Sequence, residues 1–403
     1  MSSKQKDDQF LRVLTSKDVL VLSIGAMIGW GWVVLTGNMI KTAGSIGSML
    51  AFAVGGLMVI LVGLTYAELT SAMPKVGGEH VFVFRGLGAT ASFIATWFII
   101  LGYISIVAFE TVALPTVLEY LLPNYKQGYL WTIAGYDTYL TWVLVGSIGS
   151  IFITAVNYLG IKFTAFLQLV LTSLIGIVGL LFIGGGLFNG STGNMEPLFS
   201  GGIEGFTSVL IMIPFFFVGF DVIPQASEEI NLPYKMIGKV LLFSVILTVV
   251  WYILVILGVA RALTPEKMDS SSLVTADAMV AIFHGSWAGK LLVVAGIGGI
   301  ITSWNAFYVG GSRAIYAMAK AKMLPEFLGY LHPKYKTPSN AIILIGIFSA
   351  LAPLLGRQML VWLVDASGLS IVFAYLLVTI SFVVLRKKSR KWKGLLKFQQ
   401  VVW

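Results

Sequence analysis

The sequence reads as an all-α integral membrane protein whose first and sixth spans are broken, and three features say so. Of 403 residues, 57% are hydrophobic and only 11% charged, against roughly 25% charged in soluble domains; mean hydropathy is +0.90. Apolar stretches of the about 20 residues needed to cross a bilayer recur along the chain. About ten can be placed, centred near residues 29, 57, 104, 148, 174, 216, 248, 302, 348 and 374. Two of them carry glycine where a continuous helix has no use for it. Gly25-Ala26-Met27-Ile28-Gly29-Trp30-Gly31 lies in the first and Phe217-Val218-Gly219-Phe220-Asp221 in the sixth. Glycine costs a helix interior about 1 kcal/mol relative to alanine, so matched clusters indicate deliberate breaks.

The charges support this span count. With ten spans and a cytoplasmic N-terminus, 21 of the 27 Lys and Arg fall on the inside. Only Lys41, Lys126, Arg261, Lys267, Lys290 and Arg357 fall outside. That is the positive-inside asymmetry of membrane proteins, so the net charge of +9 reports topology rather than nucleic-acid binding. Residues 1–17 are polar and the first apolar segment is too long for a signal-peptide core, so no cleavable leader is expected. Zero cysteines exclude disulfides and thiolate chemistry.

Spans one to five end near residue 188, and the Gly/Ser/Asn-rich stretch Gly190-Ser191-Thr192-Gly193-Asn194 separates them from spans six to ten. Five spans per half, an odd number, gives the halves opposite orientations. Such inverted repeats set a solute site at the membrane midplane. A single transmembrane transport domain over 1–403 is expected: first repeat at about 17–188, second at about 204–386, basic cytoplasmic tail at 387–403. The longest connections, 75–90, 122–139, 262–285 and 313–339, are too short for a soluble domain. No Gly-Lys-Ser/Thr phosphate loop is present, which argues against ATP-driven pumping.

The breaks carry the candidate chemistry. In lipid, backbone groups freed by a break must find partners in the protein or in a water-filled cavity. At the first break, the half-helix starting near Trp30 would turn its free N–H groups toward a carboxylate. The loose carbonyls around Gly25, Ala26 and Met27 would suit an ammonium group or a cation. Close helix packing through Gly25-xxx-Gly29 is the competing explanation. At the second break, Phe215, Phe216 and Phe217 precede the opening and can close over a solute or stack on a cation. Asp221 can bind an amine, carry a proton or cap the second half-helix, with capping the simplest role. Glu110 on the third span is a second carboxylate at membrane depth, and its burial would suit proton exchange. His80, His284 and His332 fall in expected loops without ligand spacing, so no metal site is expected; nothing calls for a cofactor or a catalytic residue.

In order along the chain, these residues resemble the amino acid–polyamine–organocation (APC) permeases. The matching motifs are Gly25 to Gly31, Tyr66-Ala67-Glu68-Leu69 with Pro74-Lys75-Val76-Gly77-Gly78, and Asn157-Tyr158-Leu159-Gly160-Ile161-Lys162. They continue with Gly219-Phe220-Asp221 leading to Glu228-Glu229, Ser312-Arg313-Ala314-Ile315-Tyr316 to Leu324-Pro325, and His332-Pro333-Lys334 to Thr337-Pro338. The resemblance implies a LeuT-like five-plus-five inverted repeat with broken helices 1 and 6, and a permease for amino acids or related small amines in the cell membrane, working by alternating access. It implies that substrate meets Ala26, Met27, Ile28, Gly29, Trp30 and Gly31 at one break and Phe217, Val218, Gly219, Phe220 and Asp221 at the other. Phe215 and Trp304 would then be pocket aromatics. Coupling-ion candidates are Gly25, Thr302, Ser303 and Glu110. The fifth span lacks the lysine some proton-coupled relatives place there, so protons, sodium and exchange all stay open, as does homo-oligomerisation. Family members usually have twelve spans and this sequence reads as ten. A non-transporting sensor, or a truncated, inactive permease on the same scaffold, is the alternative reading.

Overall fold

The computed structural model describes residues 10–271 and 273–391. The proposed tail is described only as far as Lys391, and there it continues the last helix. The first span is two pieces, α1 (Ser16–Met27) and α2 (Gly31–Val34), followed by α3 (Thr36–Ala43). Thr15 starts α1: its hydroxyl accepts from the Asp18 N–H while its own N–H donates to the Asp18 carboxylate at 2.8 Å. Such a reciprocal box satisfies end groups that α1 would otherwise leave unpaired. The second and third spans are α4 (Ser45–Ala72) and α6 (Ala89–Leu121), joined by the short α5 (Glu79–Leu87). A two-stranded antiparallel hairpin, β1 (Tyr129–Ile133) and β2 (Tyr136–Tyr139), occupies the next connection. The fourth and fifth spans are α7 (Leu140–Leu159) and α8 (Ile161–Asn189).

The second half repeats the plan. Its broken span is α9 (Gly202–Phe217) and α10 (Val222–Gln225), followed by α11 (Tyr234–Ala262), the short α12 (Pro265–Ser270) and α13 (Val274–Phe283), and the long α14 (Ser286–Lys320). The last two are α15 (Ser339–Leu351), extended by a tight turn to Leu355, and α16 (Met359–Lys391). Among the described residues nine spans are long and apolar enough to cross a bilayer. The expected ninth, Ser339–Leu355, is present as a shorter apolar helix.

Equivalent helices of the two halves lie against one another: second on seventh, third on eighth, fourth on ninth. That pairing is what an inverted repeat produces. The eighth span, α14, is the hub, with 83% of its apolar window buried, against 28% for the last helix. Outward-facing side chains such as Ile211, Leu180 and Phe166 are exposed, as a lipid-facing surface requires.

Two expectations change. The connection at 75–90 is not a plain loop: it carries α5, and His80 is buried in it, its Nδ1 2.9 Å from the Ser92 hydroxyl. His284, too, is not simply in a loop but ends α13 as its C-cap.

Candidate functional site

Both breaks exist. α1 stops at Met27, and Ile28 leaves helical geometry with φ −99° and ψ 63°. Among the described residues no acceptor takes the N–H of Gly29 or Trp30, and no donor reaches the carbonyls of Gly25 or Ala26. In the sixth span, Val218 turns extended (φ −59°, ψ 129°) and Gly219 takes φ +131°, which a side chain rarely adopts. Pro214, one turn earlier, has no N–H to give, so α9 is already weakened before it opens.

Gly219 backs directly onto the first break: a Cβ there would come within 2.5 Å of the Ala26 Cβ. Around this junction lies a cavity of about 30 Å³. Its wall contains Ala26, Met27, Gly29, Trp30 and Gly31 from the first span and Phe215, Phe216 and Val218 from the sixth. Ile106, Phe109 and Glu110 of α6, Tyr252 of α11, and Ser303 and Phe307 of α14 complete it. Gly29 makes room for the polar corner: a Cβ there would meet the Ser303 hydroxyl at 3.2 Å and a Glu110 carboxylate oxygen at 3.3 Å. Glu110 is 3% exposed, and its other oxygen has no partner among the described residues. Gly31 leaves space for the Phe216 ring, which a Cβ would touch at 2.7 Å.

Several expected residues sit elsewhere. Asp221 is buried at the start of α10 but does not cap it. One carboxylate oxygen accepts from the Gly219 N–H at 2.8 Å and the other from the Tyr103 hydroxyl at 2.6 Å, so it links the break to the third span. The Met27 carbonyl, expected to be loose, accepts from the Tyr252 hydroxyl at 2.7 Å. Ile28, Phe217, Gly219, Phe220 and Asp221 do not line the cavity. Phe217 packs tilted or edge-on against Phe52 and Tyr252, and Phe220 likewise against Tyr66 and Tyr375. Trp304 is fully buried but faces α7, where a Cβ on Gly149 would meet its ring at 3.2 Å. One turn along, Phe307 takes the cavity position instead.

Of the coupling candidates, Ser303 and Glu110 reach the cavity, whereas Gly25 and Thr302 face a separate polar seam. A Cβ on Gly25 would collide with the Gln168 amide and the Thr172 hydroxyl and touch Thr302 at 3.0 Å. Gln168 continues the seam: its carbonyl accepts from the Asn305 amide at 2.8 Å, and the Asn157 amide donates to the Asn305 carbonyl at 2.9 Å. Ile106, Phe109, Tyr252 and Phe307 gave no sequence signal, because nothing local distinguishes a cavity side chain from a core one.

Comparison with known proteins agrees with this architecture. The family model described as amino acid permease matches residues 14–403. A branched-chain amino acid permease of Bacillus subtilis (strain 168) is 29% identical over 399 residues, covering 94% of this chain and 82% of the relative. A methylthioribose transporter of the same organism is 27% identical over 410 residues, covering 98% and 85%. Cationic amino acid transporter 4 of Mus musculus is 26% identical over 387 residues, covering 93% and 60%. The chain belongs to the amino acid permease family and is a multi-pass membrane transporter of small molecules, not an enzyme.

Proposed function

We propose that this permease carries amino acids or closely related amines across the plasma membrane, with its N-terminus in the cytoplasm and the shared cavity as its substrate site. The observation that carries this reading is the contact between the two breaks, where Gly219 backs onto Ala26 and the N–H groups of Gly29 and Trp30 and the carbonyl of Ala26 have no hydrogen-bond partner among the described residues. A zwitterion complements both: its carboxylate takes the N–H groups of Gly29 to Gly31, with the positive end of the following half-helix behind them. Its ammonium group takes the carbonyl of Ala26 and those at the end of α9. Residues 17–188 and 204–386 would act as the two rocking repeats.

The lining favours neutral, apolar side chains. Ile106, Phe109, Phe215, Phe216 and Phe307 contribute no charge, and Glu110 is the one carboxylate. A space of about 30 Å³ holds little more than a water or two, so in this conformation the protein is closed around its site. Phe215 and Phe307 would have to swing away to admit a solute. Glu110 and Ser303 beside Gly29 are the proposed coupling groups, with a proton as the favoured ion, because an acid with one unpaired oxygen can take one up.

The test is uptake by purified protein in proteoliposomes against a panel of radiolabelled amino acids and amines, with and without imposed proton and sodium gradients. Saturable uptake of a neutral amino acid, enhanced by an acid-outside gradient, is expected. Binding without accumulation or exchange would favour a sensor on the same scaffold.

A further inference from the structure

A groove of about 280 Å³ lies between the first half-helix, α1, and the seventh span, α11, on the outer face of the bundle. Ser16, Lys17 and Leu20 form one wall, and Lys239, Val240 and Phe243 the other. On α1 the spacing of Lys17 and Leu20 puts both on one face, and on α11 Lys239 and Phe243 are likewise one turn apart. Each wall therefore ends in an ammonium group and continues into apolar surface. Phe243 is 55% exposed, as suits a ring that meets acyl chain rather than protein. Lys17 and Lys239 are both exposed, and neither makes an ion pair or hydrogen bond among the described residues. The neighbouring acid, Asp18, is already engaged, accepting from the Thr15 N–H and hydroxyl.

We propose that this groove binds an anionic phospholipid, its phosphate between Lys17 and Lys239 and its acyl chain along Leu20, Val240 and Phe243. Charge complementarity decides the occupant. Two unpaired cations at the mouth of an apolar groove match an amphiphile with a negative head, whereas a zwitterionic lipid would return most of the attraction through its own cation. The position gives the lipid leverage. α1 is the first half of a broken span, joined to the rest of that span only through the non-helical residues 28–30, and it touches α11 through the Ser23 and Ser244 hydroxyls, 2.8 Å apart. A headgroup bridging the two helices adds a tie at their outer ends, favouring the conformation in which α1 lies against α11.

The experiment is native mass spectrometry and thermal denaturation of the full chain in detergent, with phosphatidylglycerol, phosphatidylcholine or inorganic phosphate added. The wild type is compared with the Lys17→Gln/Lys239→Gln double variant. Phosphatidylglycerol should bind and raise the melting temperature of the wild type more than phosphatidylcholine does. Its affinity should fall about thirty-fold in the double variant, as two lysines near an anionic surface imply. Lys334→Gln/Lys336→Gln, at two lysines that do not line the groove, is the control and should bind as wild type. Equal preference for the two lipids, an unchanged affinity in the double variant, or the same stabilisation by inorganic phosphate alone would each overturn the proposal. A double variant that melts like the wild type without lipid shows that the loss is one of binding rather than of folding.

Discussion

Gly219 and Ala26 touch across the two interrupted spans: a Cβ on Gly219 would stand 2.5 Å from the Ala26 Cβ and 3.1 Å from the Met27 nitrogen. Neither wall can move far without the other noticing. Gly219→Ala therefore meets two obstacles, the contact and a backbone at φ +131°, which alone costs a non-glycine residue about 1–3 kcal/mol. The variant is expected to reach the membrane and retain little or no uptake. Initial-rate transport normalised to the amount of inserted protein checks it.

Asp221 and Tyr103 form a latch between the sixth and third spans. Tyr103→Phe removes a donor from a buried carboxylate, a loss of about 1.5–3 kcal/mol. A lower melting temperature and altered transport kinetics are expected together. If the latch were only structural, melting would fall while the KM and maximal rate per folded molecule stayed at wild-type values.

Phe307 and Trp304 lie on the same helix, but only Phe307 lines the cavity. Phe307→Ala is expected to shift preference toward bulkier amino acids. Trp304→Ala, which empties a fully buried site against α7, should cost about 3–5 kcal/mol of stability and leave the order of preferred substrates unchanged. Competition profiles for the two variants distinguish the roles.

Glu110→Gln keeps the shape of the polar corner beside Gly29 and removes its ability to ionise. Exchange of internal for external substrate should persist while accumulation driven by an acid-outside gradient disappears. Counterflow and gradient-driven uptake, measured on the same vesicles, separate the two.

Burial pushes the His80 imidazole below its ordinary value. The folded protein thus holds it neutral where the unfolded chain already takes up a proton. Its contribution to stability is intact above the unfolded value near 6.5 and is lost as pH falls from there toward the folded value. The melting temperature should drop on acidification from about pH 7.5 to about pH 5.5, and less steeply in His80→Gln.

Much of this was legible in the sequence, and for a local reason. Glycine weakens a helix locally, so Gly29, Gly31 and Gly219 stood out at matching places in the first and sixth spans, although Gly184, Gly185 and Gly186 stay helical inside α8. Asp221 announced its importance but not its role: the cap expected from its position at a half-helix start is replaced by bonds to Gly219 and Tyr103, and only packing brings Tyr103 there. The remaining wall was silent. On a helix as thoroughly buried as α14, every face meets protein, so no periodicity says that Phe307 rather than Trp304 turns to the cavity. Tyr252 likewise reaches Met27 from a span with no break of its own.

The chain has no cysteine, which allows a direct test of the shared site. Single cysteines at Ser303, Phe307 and, as an outlying control, Trp304 are introduced and labelled with a membrane-permeant thiol reagent, with and without the amino acid that drives uptake. Protection at Ser303 and Phe307, half-maximal near the transport KM, and none at Trp304 is the predicted result. Labelling at Ser303 and Phe307 that no transported amino acid slows would contradict a substrate site between the two breaks.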